Sequence, residues 1–411
     1  MSAPADAPGL LFLGGASPLG SSIDVGRLLL TQAGARGFRT HLTNTAEGLA
    51  ATPEVVGLAD AVSTVNPDDV RECARWARAQ RAVDVRFDVV LGMRDTVLRA
   101  AAESAAVFGA AGLSPLAVAD VRLKDRCRAV LAAAGFRQPQ VRLCEDTGQA
   151  IEFLASTTGP WVVKPRDGMA SIGVRKVAGA EDLSAAVEEL PVPGPFLIEE
   201  FVRGQEFSVE GVFLDSTPRV LAVTSKEKTP PPYFVEVGHL LPADLPEAVR
   251  EDIELTVGAA LVALGLRFGV FHAELWITDA GVVLGEVHPR PGGDWLHLLL
   301  AHAIPGLELF GLILDDVLGR LPSHDLRPTR GAAVRFLTPG PGKLVRVEGW
   351  DALLAHPSVL RAELLVEPGV ELGPVRQSAD RAGAVVVGAD TPAQAQALAA
   401  ELAASVEFVV R

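Results

Sequence analysis

Tyrosine occurs once in the 411 residues, at Tyr233, and methionine and cysteine three times each. Aromatic side chains make up 5% of the chain, so any core must rest on Val, Leu, Ala and Ile. Cys73, Cys127 and Cys144 are odd in number and contain no C-x-x-C pair. Neither a disulfide framework nor a zinc site is indicated, which suits a reducing cytoplasm. Basic charge is also short: 37 Lys and Arg against 51 Asp and Glu leave a net charge of −14. Nothing supplies the basic stripe that nucleic-acid binding needs, whereas a nucleotide asks only for a few placed cations. Long apolar runs are missing too. The most apolar stretch, Leu296–Leu318, is interrupted by His297, His302, Pro305 and Glu308 and reads as a buried helix pair, not a membrane span. Met1–Gly9 has no positive charge and no apolar segment, so no signal peptide is visible.

What is present is a chain too long for one ordinary core, with two or three domains expected. Its 49% hydrophobic and 21% charged residues are those of a globular enzyme. A short apolar strand, Leu10–Gly14, runs through Gly15-Ala16-Ser17-Pro18-Leu19-Gly20 into a helix reaching Ala35. This opening is Rossmann-like, but its glycine spacing is not G-x-G-x-x-G. The next strand, Phe38–Leu42, ends in Thr43 and Asn44 with no acid for a ribose, so a dinucleotide site is not expected. Helix Pro67–Arg81, strand Val85–Leu91 and helix Thr96–Phe108 continue the alternation to a boundary near Gly112–Pro115.

Beyond it, Ala119–Ala134 reads as one helix with Lys124, Arg126 and Arg128 on its early turns, and Gln149–Ser156 as another. Strand Trp161–Lys164 is closed by Pro165. A lysine ending a buried apolar strand is hard to place unless its ammonium meets an anion, whereas Lys124 by itself reads as a solvated side chain. The small-residue turn Arg166–Gly173 holds Gly168 and Ser171. Its N–H groups can wrap phosphate oxygens, or it is simply the loose tip of a hairpin. Strands Phe196–Phe201 and Glu206–Leu214 follow, with Glu206 and Glu210 on one face. Val220–Ser225 extends the sheet, and Lys226, Lys228 and Thr229–Pro232 read as a stiff basic loop. Glu236 and His239 in Tyr233–Leu240 either meet a substrate ammonium or decorate a surface turn. After helix Pro246–Leu264 and the hairpin described next, Gly331–Arg411 reads as a separate α/β unit ending in helix Pro392–Ala404.

The chain is organised around Phe271–Asp294. Val270, His272, Glu274 and Trp276 alternate with Phe271, Ala273, Leu275 and Ile277, the period of a strand. Asp279-Ala280-Gly281 reads as a three-residue hairpin loop, which sets Glu274 opposite Glu286 with His288 further along the same face. Two carboxylates facing each other at about 5 Å repel unless a cation lies between them. An all-oxygen pair suits Mg²⁺, with phosphates and waters completing the octahedron. The alternative is a surface hairpin whose acids point into water. His272 reads more simply as a satisfied strand histidine, and Asp294 as either a pocket residue or a helix N-cap.

In this order, Lys124, WVVKP, DGMASIG, IEEFVRGQEFSVEG and FHAEL…LGEVHPRPGG resemble the ATP-grasp superfamily of carboxylate–amine ligases and biotin-dependent-carboxylase relatives. Tyr233–His239 is similar to the corresponding loop of L-amino-acid ligases. The resemblance covers nearly the whole chain and implies an α/β and α+β multidomain fold. Residues 1–114 would form a Rossmann-like N-terminal domain, 115–325 an ATP-grasp fold with a lid at about 125–198, and 330–411 a small C-terminal α/β unit. It also implies ATP and Mg²⁺ (or Mn²⁺), small-molecule carboxylate and amine substrates, and, as in many such proteins, a homodimer. By the same resemblance, Lys124, Lys164 and the turn with Gly168 and Ser171 would hold phosphates. The backbone of Glu199, Glu200, Phe201 and Val202 would hold the adenine edge, and Glu206 the ribose. Lys226 or Lys228 would approach the γ-phosphate, Glu274 and Glu286 would hold the metal, and Arg290 would stabilise the transition state. Glu236, His239, Gly292 and Gly293 would line the substrate pocket. Many members have Asn where this chain has His288, and imidazole is a poor ligand for Mg²⁺. Phosphorylation of bicarbonate and nucleotide binding without turnover are the other functions this reading leaves open.

Overall fold

The computed structural model describes residues 7–322 and 324–411, so the first six residues of the segment read for a targeting signal lie outside it. Strands β1 (Gly9–Leu13), β2 (Arg39–Asn44), β3 (Ala61–Thr64) and β4 (Val89–Leu91) form a parallel sheet in the order β3-β2-β1-β4. All five residues of β1 are buried, as expected of an inner parallel strand covered on both faces. At the end of β1 the chain turns through Gly14 and Gly15, both with positive φ. A Cβ on Gly14 would come within 2.5 Å of Val97, so this turn packs tightly on the segment that carries Asp95.

Strands β5 (Val141–Cys144), β6 (Trp161–Pro165), β7 (Arg175–Val177) and β8 (Phe196–Glu200) make a small antiparallel sheet, β5-β8-β6-β7. It has a core of its own, in which Phe153, Trp161, Val163, Phe196 and Ile198 are buried together. The largest sheet runs through β9 (Gln205–Leu214), β10 (Thr217–Lys228), β11 (Glu236–Leu241), β12 (Val270–Thr278), β13 (Gly281–His288) and β14 (Gly331–Leu337). The C-terminal segment adds β15 (Gly342–Glu348), β16 (Val359–Leu364), β17 (Glu371–Leu372), β18 (Gly383–Ala389) and β19 (Glu407–Val410). Its apolar strands β14, β18 and β16 pair onward from β11, so the large sheet has eight strands. The segment expected to stand apart is therefore continuous with the site's own sheet. Within 331–411, β15, β17 and β19 form a small sheet apart from it.

On β12, Phe271, Ala273 and Leu275 face a core closed by Ile253, Val257 and Leu261 of the helix Glu247–Ala263. Period-2 alternation thereby sends His272 and Glu274 to the opposite face.

Four local expectations need correction. The hairpin loop has two residues, because Gly281 already pairs with Thr278. A bulge between Ala273 and Leu275 restores the register, so that His272 pairs with His288. Gly285 permits the bulge, since a Cβ there would meet the Glu274 carbonyl oxygen at 2.8 Å. The helix read over Ala119–Ala134 is two helices, Pro115–Arg122 and Lys124–Ala133, separated by an extended Leu123. Lys226 and Lys228 lie on β10 rather than in a loop, because β11 pairs with β10 as far as Lys228, beyond the point, Ser225, at which pairing with β9 ends. Asp294 does not cap the helix Leu296–Ala303, whose N-cap is Trp295 without a side-chain bond.

All three cysteines are buried and unpaired. Among the described residues no helix is long and apolar enough to cross a membrane. His297, on Leu296–Ala303, has both ring nitrogens buried without a hydrogen-bond partner. Burial, with Arg361 nearby, lowers its pKa from 6.5 to about 4. The unfolded chain then binds more protons between those values, so folding stability falls on acidification through that window, by roughly 3 kcal/mol from this residue. Urea unfolding at several pH values should show a His297→Leu variant losing less stability than wild type between pH 6.5 and 4. An identical pH slope would contradict the assignment.

Candidate active site

Lys164 closes β6, 5% exposed, with its Nζ 2.8 Å from Glu199 Oε2 and 3.5 Å from Glu286 Oε1. Glu199 also accepts from Arg128 Nε at 2.6 Å and Nη2 at 3.0 Å. Burial would raise the Glu199 pKa, but Arg128 and Lys164 hold it at about 2. Lys124, placed at a helix start by the break at Leu123, donates to Gly168 O at 2.8 Å and lies 3.1 Å from Glu286 Oε2. Lys226 reaches Glu206 Oε1 at 2.8 Å, Glu274 Oε1 at 3.0 Å and Glu236 Oε1 at 3.3 Å. Lys228 pairs with the other Glu206 oxygen. Burial opposes charge on Glu274 and Glu286, yet Lys226 beside one, and Lys124 and Lys164 beside the other, hold both well below the usual carboxylate range. Lys226 is held well above its own ordinary value, because three carboxylates outweigh its burial. Glu199, Glu274, Glu286 and Lys226 are therefore charged at neutral pH, and each of these acids touches a cation.

Lys124, Lys164, Lys228 and the glutamates face a cleft whose empty volume, mouth included, is about 1040 Å³. It collects Lys124, Lys164, Gly168, Ser171, Glu199–Val202, Glu206, Lys228, Glu236, Glu274, Glu286, His288 and Arg290. Lys226, His239, Gly292 and Gly293 are not in its lining. Lys226 lies beneath the floor, its side chain 2% exposed. His239 is buried and bonds Asp294 Oδ2 at 3.1 Å. Gly292 packs inward, where a Cβ would come within 2.9 Å of His272 Nδ1, while Gly293 faces open space.

The turn over the cleft has Ala170, Ser171 and Gly173 at positive φ, and the Ser171 hydroxyl donates to Phe234 O at 3.2 Å. On the opposite wall, Glu200 N–H donates to Gln140 O and Phe201 N–H to Pro160 O. Phe201 stacks on Phe234 with ring centres 5.8 Å apart, beside Trp276, which gives this end of the cleft an apolar, aromatic wall. Both oxygens of Glu206, expected to meet a ribose, are taken by Lys226 and Lys228.

His288 bonds Asp95 Oδ1 through Nδ1 at 3.3 Å and lies 3.5 Å from Glu286 Oε2 through Nε2. Arg290 Nε donates to Asp95 Oδ2 at 2.5 Å. Burial alone would raise the Asp95 pKa, but Arg290, His288 and Arg122 hold it below the usual range. His272 sits between Glu210 (2.9 Å) and Glu274 (3.3 Å), and burial notwithstanding, those carboxylates raise it to about 9. Among the described residues no cluster of three or more His, Cys, Asp or Glu could hold a metal ion by itself. The two ionised carboxylates Glu274 and Glu286 do fit Mg²⁺, an ion usually held by one or two acids with substrate phosphates completing its shell.

Asp95, Arg128 and Phe234 stand at the site without being expected there: Arg128 reads in the sequence only as an arginine on an early helix turn, Phe234 only as part of the loop Tyr233–His239, and Asp95 carries no signal. Asp95 comes from the short helical turn Asp95–Val97 after β4, 193 positions from His288, where spacing has nothing to report.

Residues 157–298 match the family profile of the ATP-grasp domain and residues 335–411 that of the L-amino acid ligase C-terminal domain 2. The chain is 29% identical over 312 residues to the uncharacterized protein y4rH of Sinorhizobium fredii, covering 74% of this chain and 64% of that one. It is 31% identical over 215 residues to a D-alanine–D-alanine ligase of Caulobacter vibrioides, covering 48% of this chain and 65% of that one. The matches thus span less than two thirds of each of these relatives. Its fold is similar to that of the L-amino acid ligase from Bacillus licheniformis, with a TM-score of 0.82, 22% identity, and 98% and 99% of the two chains covered. A biotin carboxylase domain from Hydrogenobacter thermophilus, solved with MgADP and bicarbonate, shares the fold at a TM-score of 0.70 and 14% identity, with 98% and 90% covered.

The Arg128–Glu199–Lys164 group is buried, and removing Arg128 leaves Glu199 only Lys164, which it shares with Glu286. Arg128→Met should cost about 3–5 kcal/mol in urea unfolding. A cost below about 1 kcal/mol, the range of an exposed pair, would contradict this reading.

Proposed function

For a chain that carries an ATP-grasp domain and, after it, an L-amino acid ligase C-terminal domain, we propose an ATP- and Mg²⁺-dependent ligase. It would join a carboxylate, an amino acid by our reading, to an amine and release ADP and phosphate. The observation that carries this reading is the pair of ionised glutamates, Glu274 and Glu286, facing one cleft with Lys124 and Lys164.

A carboxylate is a poor electrophile and reacts with amines only after gaining a leaving group. Transfer of a phosphoryl group supplies one, and catalysis of that step is positioning plus neutralisation of charge. In the protein alone the buried carboxylates Glu199, Glu206, Glu274 and Glu286 are each already matched by a lysine or arginine. Incoming nucleotide phosphates therefore overload the cluster with negative charge. A divalent ion held by Glu274 and Glu286 would offset that excess and orient the β- and γ-phosphates.

Lys124 and Lys164 stand where they can move from Glu286 to phosphate oxygens, and Lys228 can do so from Glu206. The turn Gly168–Gly173 would close over the phosphates and keep water from the acyl phosphate. Arg290, fixed on its Nε side by Asp95, keeps part of its fork free to stabilise the oxyanion formed when the amine attacks. The aromatic end around Phe201, Phe234 and Trp276 suits the adenine ring. Soluble small-molecule substrates and a cytoplasmic setting accord with this chemistry.

Two measurements test the proposal. Phosphate release from ATP should be stimulated by particular amino acids across a panel, and an amide product should accumulate with it. Release stimulated by bicarbonate alone would reassign the chain to the carboxylating branch of the fold, and nucleotide binding with no release would leave a non-catalytic binder. Glu286→Gln should lower turnover by more than about 10²-fold while the circular dichroism stays unchanged. Full activity in that variant would remove the metal role.

A further inference from the structure

The catalytic role given to Arg290 requires the loop behind it to be held still, and that loop is strained. Asp294 and Trp295, neither of them glycine, have φ of 53° and 65° in succession. Such residues persist in this region only where their surroundings fix them. What fixes them is a guanidinium from the far end of the chain.

Arg381 Nη2 donates to Asp294 Oδ1 at 2.8 Å and Nη1 to Asp294 Oδ2 at 3.0 Å, a two-pronged pair. Nη1 also lies 3.4 Å from the Glu236 carbonyl, and Nε donates to Ser378 O at 2.9 Å. The guanidinium carbon lies 3.6 Å from the centre of the Phe336 ring. Arg381 is 9% exposed and His239, which also bonds Asp294, is 6% exposed. The residue that anchors Arg381 has a second attachment, because Ser378 N–H donates to Ala170 O at 3.2 Å, in the turn that covers the cleft.

We propose that Arg381 is a positioning residue that ties the loop behind Arg290 to the covering turn Gly168–Gly173, so that seating of the turn and seating of Arg290 occur together. This rests on the ligase reading for its effect on chemistry, but not for the tether itself. Arg381 touches no reacting atom. It acts through Asp294 on one side and Ser378 on the other, and its planar fork is what makes both attachments together. Lysine, with a single ammonium, cannot reproduce them.

Three variants separate the two sides of the tether. Ser378→Pro removes the N–H given to Ala170. Ser378 opens the short helix Ser378–Asp380 after an extended Gln377 (φ −148°, ψ 166°), a position and a preceding residue that suit proline. Asp294→Asn keeps the side-chain shape and weakens the bond to Arg381. Arg381→Lys weakens both sides. In nucleotide-free protein, hydrogen exchange of the amides at 168–173 should be about tenfold faster in Ser378→Pro and Arg381→Lys, with the core strands unchanged.

In turnover, Asp294→Asn and Arg381→Lys should lose about 10- to 100-fold in kcat with KM for ATP within about twofold. They should also release more phosphate per amide formed than wild type, because a poorly seated turn admits water. Combining Asp294→Asn with Arg381→Lys should cost little beyond Arg381→Lys alone. Unchanged exchange at 168–173 together with wild-type kcat would overturn the proposal, as would exchange that accelerates evenly over the whole protein. Should Arg381→Lys fail to fold, Ser378→Pro and Asp294→Asn still test the two sides separately. A wild type that forms no amide would refute the ligase reading instead, and the exchange measurement would still decide the tether.

Discussion

Alternating lysines and glutamates under one cleft are the constraint on which the remaining structure depends. Lys164 is shared between Glu199 and Glu286, and Lys226 among Glu206, Glu236 and Glu274. Buried charges survive only when each has a partner of opposite sign and good geometry, because the loss of hydration is large. Here the partners come from different sheets. The small sheet supplies Lys164 and Glu199, and the large sheet the other acids and Lys226. Docking of one sheet against the other is thus an electrostatic requirement as much as an apolar one. The same arrangement leaves Lys124 and Lys164 able to exchange a carboxylate for a phosphate oxygen without moving far.

The folds on either side serve that cluster. The parallel N-terminal sheet brings Asp95 to Arg290 and His288. The bulge at Gly285 turns Glu286 toward Lys124 and Lys164 while leaving the core-facing residues of β12 in register. The C-terminal segment extends the large sheet through β14, β18 and β16, then returns Arg381 to the loop behind Arg290. An arrangement in which three stretches of chain each deliver one part of a site is typical of a cleft between subdomains.

Much of this was legible in the chain itself. Strand periodicity placed His272 and Glu274 on one face of β12, and the hairpin brought Glu274 and Glu286 into one cleft despite a loop one residue too long. The error came from Gly281, whose positive φ fitted a three-residue loop as well as it fits the shorter one. The buried Lys164 announced an anion because an apolar strand had no other use for it. Lys226 and Lys228 were misplaced because the prolines after them marked a loop that starts three positions later than their charge implied. Asp95 and Arg381 gave no sign, and Arg128 showed only as a basic residue on an early helix turn, without its partner. Each is a lone polar residue whose partner lies 71 to 195 positions away, and pairing over such distances is written in three dimensions, not in spacing. His239 and Asp294 looked like substrate contacts or a cap, and the structure gives them to each other and to Arg381.

The central claim is that a charge-balanced cleft needs a divalent ion to accept nucleotide phosphates. Calorimetric titration of ADP into the protein, with Mg²⁺ present and with Mg²⁺ removed by chelation, tests it directly. The account predicts binding at least about tenfold tighter with the ion, a gain of about 1.4 kcal/mol. ADP that binds equally well or better in the chelator would contradict it.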